Sequence, residues 1–219
     1  MTMADTDLDV DFSHTPAGAS QRVYHGIMLD LEARRMVPGQ RLIETDLAHR
    51  FNVGRNAVRE AIQRLAVRGV VDPSRNKSPS IRQLDLAETH EILDVAAALT
   101  GLAAKAAARN FDAERDRATL DAAMAALGDI GPHSEPGHFS RARRQFYRAL
   151  LSIGGNRELQ RLFPAIGMHI IYSQFQSPTL QQVRMIDYRA IRDAVSACDA
   201  DAAESAARAH VEHVRSLIA

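Results

Sequence analysis

The stretch PGQRLIETDLAHRFNVGRNAVREAIQRLAVRGVV, from Pro38 to Val71, carries the clearest structural signal in the chain. Pro38-Gly39 ends whatever precedes it. The spacing then predicts a short helix over Glu44 to Phe51, with Leu47, Ala48 and Phe51 on one face, and a turn at Asn52-Val53-Gly54. A turn of that length joins two helices at a steep angle. The next helix runs from Arg55 to Arg68, with Val58, Ile62 and Leu65 inward and Gly69 as its stop. Upstream, Ser20 is placed to cap a helix with Val23, Ile27 and Leu31 on its buried face. Three helices with a tight second turn make a helix-turn-helix. Downstream, Val70-Val71 and Ile81 bracket a polar segment with Arg75, Asn76 and Lys77, so two short strands around a basic tip form a wing.

Arg55 and Arg59 lie four residues apart and therefore point outward together, while Val58 and Ile62 pack inward. A helix start offers free backbone N–H groups as well, which suits a DNA backbone and groove. The plain alternative is a solvated arginine face, because 25 of the 27 basic residues of this chain are arginine. Local charge argues for DNA. The chain is neutral as a whole, with 27 basic and 27 acidic residues, but residues 1–19 carry four aspartates and no basic residue. Residues 20–84 carry twelve basic and six acidic side chains, and residues 85–219 fifteen and seventeen. The neutral total is thus an acidic tail, a basic reader and a mildly acidic remainder.

Of the 219 residues, 46% are hydrophobic and 25% charged, which indicates a globular chain of two small domains or one large one. The single cysteine, Cys198, allows no internal bridge, so a reducing cytoplasm is expected. The longest apolar stretch, Val95 to Ala104, is too short for a membrane span. Met1 to Ala19 has no positive start and is read as a disordered acidic tail rather than a signal. Residues 85–219 are alanine-rich, without strand alternation, and predict helices over 86–110, 113–127, 137–153, 158–175, 179–197 and 200–218. Gly154-Gly155 follows no strand and is read as a helix stop. The fold class is therefore mainly α, a winged helix-turn-helix over 20–84 followed by an all-α bundle over 85–219.

The stretch from Pro38 to Val71 resembles the winged helix-turn-helix of GntR-type bacterial transcription regulators, PGxxLxExxLAxxxGVSRxPVREALxxLxxxGLV. The resemblance places Arg55 and Arg59 at the DNA-reading positions, and Arg75, Asn76 and Lys77 at the wing tip that enters the minor groove. Asn56 opens the reading helix beside them. The chain departs from the pattern at four places: Gly54 for the serine before the reading helix, Ala57 for proline, Thr45 for an arginine of the second helix, and Asn76 for the wing glycine. Thr45 keeps the DNA-facing position without the arginine contact. The operator sequence is therefore not inherited from relatives.

FYRALLSIGGN (146–156) and DYRAIRDAVSACDADAAESAARAH (187–210) resemble the FCD effector-binding domain of the FadR subfamily. Many members hold a divalent metal there through an aspartate and three histidines. Those positions fall on Arg143, Tyr147, Tyr188 and His210, of which only the last is an ordinary ligand. A guanidinium would put fixed positive charge where a cation sits, so no metal is expected. The same arginine, with two phenols and an imidazole, suits a small organic anion such as a carboxylate. His169 and Arg192 complete the expected effector set.

Two alternatives remain open here. Arg143 points to solvent and the tyrosines merely fill space, or His210, His213 and His169 form a rearranged metal site. Ala96 and Thr100 replace an arginine and a glutamate common in the subfamily, so known ligands are not transferred. The resemblance further implies a homodimer and a roughly palindromic double-stranded operator. A small enzyme is disfavoured, because no H-E-x-x-H, G-x-S-x-G, P-loop or C-x-x-C motif is present. A non-specific architectural DNA binder is the remaining rival. The reading is a ligand-responsive regulator, a repressor released by its effector, with no catalytic residues.

Overall fold

A computed structural model describes residues 16–73, 78–128, 137–166, 168–175 and 177–218. The DNA-reading half contains α1 (Pro16–Glu32), α2 (Glu44–Phe51), α3 (Arg55–Val67), β1 (Val71–Asp72) and β2 (Ser80–Ile81). The helical half contains α4 (Leu86–Asn110), α5 (Ala113–Gly128), α6 (His138–Gly154), α7 (Arg157–Leu162), α8 (Met168–Gln174), α9 (Pro178–Ser196) and α10 (Ala200–Ser216). The chain is mainly α, as expected.

The first helix differs from its expected form. It begins at Pro16, and Ser20 is fully buried inside it, so Ser20 is not its cap and the structured chain reaches into the segment expected to be a disordered tail. Proline suits a first turn because its missing N–H has no partner there in any helix. Residues 1–15 lie outside the described residues. Val23, Ile27 and Leu31 are buried as their spacing requires. A side chain at Gly26 would overlap the ring of Phe51, so glycine is what lets α1 and α2 approach.

The turn between α2 and α3 rests on Asn52, in the left-handed region at φ 49°, whose N–H returns to the carbonyls of Ala48 and His49. Asparagine tolerates that conformation better than most residues. Gly54 starts α3 without a side-chain cap. At its other end Gly69, at φ 64°, turns the chain into β1. β1 pairs antiparallel with β2, Val71 opposite Ile81 and Asp72 opposite Ser80, and Arg41 bridges to Ser80.

The expected single helix over 158–175 is broken. α7 gives way to a 3-10 turn at Phe163–Ala165 and the chain restarts as α8. Pro164 is the cause, since a helix interior cannot use a residue without an N–H. Gly155 ends α6 in a left-handed cap whose N–H bonds the carbonyls of Leu151 and Ser152, the stop read from the glycine pair.

Two apolar cores follow. One, inside the bundle, joins Leu120, Phe146, Leu150, Tyr188 and Ile191. The other runs from Val23, Ile27, Val58 and Leu65 through Leu84 into Leu93, Ile170, Ile171 and Val214. The reader is thus not a bead on a string. Asp85 starts α4 in a capping box with Glu88, and the backbone of Leu84 is gripped at both ends by one side chain of α8. Its N–H donates to Gln174 Oε1 at 3.0 Å, and Gln174 Nε2 donates to its carbonyl at 2.8 Å.

Candidate nucleic-acid interface and anion site

On α3, Val58, Ala61, Ile62 and Leu65 are buried, which leaves Arg55, Asn56 and Arg59 exposed on the opposite side, with Thr45 exposed on α2. Arg59 is not idle: its Nε donates to Glu44 Oε2 at 2.8 Å. Arg64 and Arg68, one and two turns further on, stack over the ring of Tyr24 on α1, and Arg68 Nη1 donates to its hydroxyl at 2.7 Å. Only the first turns of α3 therefore present arginine away from the body. Arg75, Asn76 and Lys77 lie outside the described residues.

The expected effector residues separate into three groups. Arg143, Tyr147, Tyr188 and His210 come together on α6, α9 and α10, all buried. The Tyr147 and Tyr188 rings meet edge to face at 5.9 Å, and Tyr188 lies 4.8 Å from the His210 ring. Arg143 is 8% exposed, which overturns the solvent-pointing alternative. Arg192 does not join them. It is one-third exposed and pairs with Asp121 of α5 and with Asp193. Four residues along a helix is 400° rather than 360°, and that drift carries Arg192 past the tyrosine face toward a carboxylate. The side chain of His169 lies outside the described residues.

The structure adds residues that the sequence reading missed. Arg184, one turn before Tyr188 on α9, is 1% exposed. Its guanidinium carbon lies 4.1 Å from the centre of the Tyr172 ring, and that of Arg143 lies 3.7 Å from the same ring. No carboxylate pairs with either arginine among the described residues. Arg143 Nε and Arg184 Nε and Nη2 have no hydrogen-bond partner there. Two buried guanidiniums without a counter-charge are costly, and the π-face of Tyr172 offsets only part of that cost.

The electrostatics follow from this charge. Burial raises the pKa of Tyr147 and Tyr188. Burial pushes Tyr172 the same way, but the charges of Arg143 and Arg184, with hydrogen bonds to Tyr188 and Arg143, outweigh it and bring its phenol below the ordinary value. Tyr172 and Tyr188 hydroxyls lie 3.3 Å apart. Burial lowers the pKa of His210 against the pull of Asp187, and the two arginines add to the lowering. Burial would raise Asp187, but its hydrogen bonds with His210 and His213 prevail and hold it low.

His210 and His213 turn their Nδ1 atoms to different oxygens of Asp187, at 3.0 and 2.9 Å, which fixes the orientation of both rings and leaves Nε2 of each outside these contacts. Among the described residues no three His, Cys, Asp or Glu side chains converge as ligands.

Arg143 and Tyr147 also form part of the wall of a cavity of about 580 Å³ between the two halves of the molecule. Tyr24, Met28 and Leu29 of α1 line its other side. Glu32 of α1 and Arg144 of α6 form an ion pair across the boundary. Burial, with the nearby Arg148, lowers the pKa of Arg144.

Residues 19–78 match the bacterial regulatory proteins of the gntR family, and residues 91–213, more than half the chain, match the FCD domain. The chain belongs to the GntR family of regulators with an FCD domain. It is a DNA-binding transcription regulator, and proteins of this family are not enzymes. This GntR regulator is 25% identical over 201 residues to the probable D-xylose utilization operon transcriptional repressor of Paenarthrobacter nicotinovorans, with 90% of this chain and 87% of the relative covered. It is 24% identical over 206 residues to the HTH-type transcriptional regulator LutR of Bacillus subtilis (strain 168), covering 83% and 92%. Among solved structures its fold is similar to E. coli McbR/YncC, with TM-score 0.72 and 18% identity over 89% of this chain and 94% of that one. A GntR regulator of Rhodococcus sp. RHA1 has TM-score 0.73 and 20% identity, covering 91% and 96%. Among the described residues no helix is long and apolar enough to cross a membrane.

Proposed function

We propose that this regulator is a cytoplasmic homodimeric repressor that grips a roughly palindromic operator and releases it when a small organic anion binds at Arg143, with no metal involved. One observation carries the effector reading: a guanidinium more than nine-tenths buried, on the wall of a cavity, with no carboxylate paired to it among the described residues. A carboxylate arriving there gains a charge-assisted hydrogen bond with a donor whose desolvation has already been met. Tyr147, Tyr188 and His210 back the arginine, and Arg184 adds a second charge behind Tyr172.

The repressor direction follows the name of the Paenarthrobacter relative. The dimer is supported by α4, where Val95 and Leu102, one heptad apart, stay 52% and 44% exposed. Large apolar groups at that spacing suit a second copy of the helix.

The test has two parts. Operators selected from random duplexes should show dyad symmetry, and anisotropy on them reports release. Thermal shift against a panel of short carboxylates and sugar acids, the latter because that relative is named for D-xylose utilization, should find stabilisers. Their effect should vanish in Arg143→Ala. A stabiliser whose effect survives that substitution places the site elsewhere, and a tight stoichiometric zinc site would overturn the metal-free reading.

A further inference from the structure

The cavity beside Arg143 is not confined to the FCD domain. One wall comes from α1 of the DNA-reading half, with Tyr24, Met28 and Leu29, and the other includes Tyr147, Leu151 and Phe163. A ligand filling it would touch both halves. At about 580 Å³ it lies within the range of small-molecule sites.

Its charge is uneven. Arg68, Arg143, Arg144 and Arg148 all line it, and Glu32 is the one acidic residue among the lining residues described. Glu32 is already engaged by Arg144, and its second oxygen is buried without a hydrogen-bond partner. Arg68 is turned to Tyr24. Among the described residues Arg143 pairs with no carboxylate, and its Nε has no hydrogen-bond partner. The cavity therefore offers one deep, uncompensated cation beside largely apolar and aromatic walls.

We propose that the effector is an amphipathic monocarboxylate whose acid group sits on Arg143 and whose apolar body lies in this cleft against α1. This rests on the anion-effector reading and names its class and its route of action. The carboxylate arrives beside Arg144 and competes with Glu32, the residue that ties α1 to α6. The ligand thereby acts on the DNA-reading half by contact rather than through a distant relay. An effector shifts an equilibrium only by contacts that differ between the two states, and contacts with α1 are of that kind.

The experiment is calorimetric titration of the full-length protein with octanoate and 4-phenylbutyrate, with succinate and gluconate as polar counterparts. Octanoate and 4-phenylbutyrate should bind one per chain, and Arg143→Met should weaken them at least about tenfold. Leu29→Glu should do the same, because it sets a like charge on the opposite wall. Leu29 is 44% exposed, so the fold tolerates the change, which circular dichroism verifies. Leu29→Trp places a single tryptophan in a chain that has none, and its emission should shift along the same binding curve.

If succinate or gluconate binds through Arg143 while octanoate and 4-phenylbutyrate do not, the ligand class is wrong and the anion reading stands. If octanoate binds equally well to Leu29→Glu and leaves the indole emission of the Leu29→Trp variant unmoved, the ligand is confined to the FCD domain and the cleft inference fails. If no anion of either class binds, the effector reading itself fails.

Discussion

Arginine does opposite work in two regions of this molecule. On α3, Arg55 and Arg59 stand in water, and Arg59 has a carboxylate at hand in Glu44. Between α6, α8 and α9, Arg143 and Arg184 are buried around Tyr172 and no carboxylate pairs with either among the described residues. An exposed guanidinium costs little to keep and is available to any partner of opposite charge. A buried, uncompensated one is kept at a cost to stability, which makes the site selective for the anion that relieves it. The first region suits a polyanion read by its surface, the second a small anion taken out of water.

The largest effect should come from the exposed pair. Arg55→Ala or Arg59→Ala should each weaken operator binding by about 1–3 kcal/mol and relax preference at the contacted base, measured by anisotropy against single-base operator variants. Equal losses on every sequence would make these arginines phosphate contacts only.

The joint between the regions comes next. Gln174→Ala leaves the Leu84 N–H and carbonyl without their partner, and urea unfolding should show a loss of about 1–3 kcal/mol. Leu84 is 4% exposed, so water cannot easily replace the amide. A neutral result would mean that the linker finds other partners.

The buried pair should behave in the reverse sense from ordinary core residues. Arg143→Met removes an unpaired charge and keeps an unbranched apolar chain, so stability should rise, by about 1 kcal/mol, while the response to anions is lost. A destabilised variant would show that stacking on Tyr172 outweighs the charge.

A smaller effect should appear with acid. His210 has its folded pKa lowered below the ordinary 6.5, so between the two values the unfolded chain binds the proton and the folded chain does not. Stability is therefore full above about pH 6.5 and declines as pH falls through that value toward the folded pKa. Asp187, also lowered, adds its loss only below the ordinary carboxylate range. His210→Gln should flatten the melting temperature between about pH 7 and 5.5, and an unchanged slope there would assign the dependence to other groups.

Legibility was uneven for physical reasons. The helix-turn-helix stretch was readable because its helices are short, its turn is punctuated by Asn52 and Gly54, and its apolar spacing has one solution. Arg143, Tyr147, Tyr188 and His210 were found by position in a family pattern, and they do meet. Arg184 was legible in principle, being one turn from Tyr188. Tyr172 was not, because Pro164 breaks the expected helix and rotates everything after it. Arg192, four residues to the other side of Tyr188, pairs instead with Asp121 and Asp193, a partner choice set by the packing of α5 against α9.

The amino-acid order alone settles what is local: periodicity, breaks and caps set which residues form each helix and which face it buries, since these depend on neighbours within a few positions. Which arginines would meet a carboxylate, and which would be left with none, came only from the packing of α1, α6, α8 and α9. Charge compensation acts through space, between residues as far apart in the chain as Asp94 and Arg215, 121 positions, and no local pattern records it.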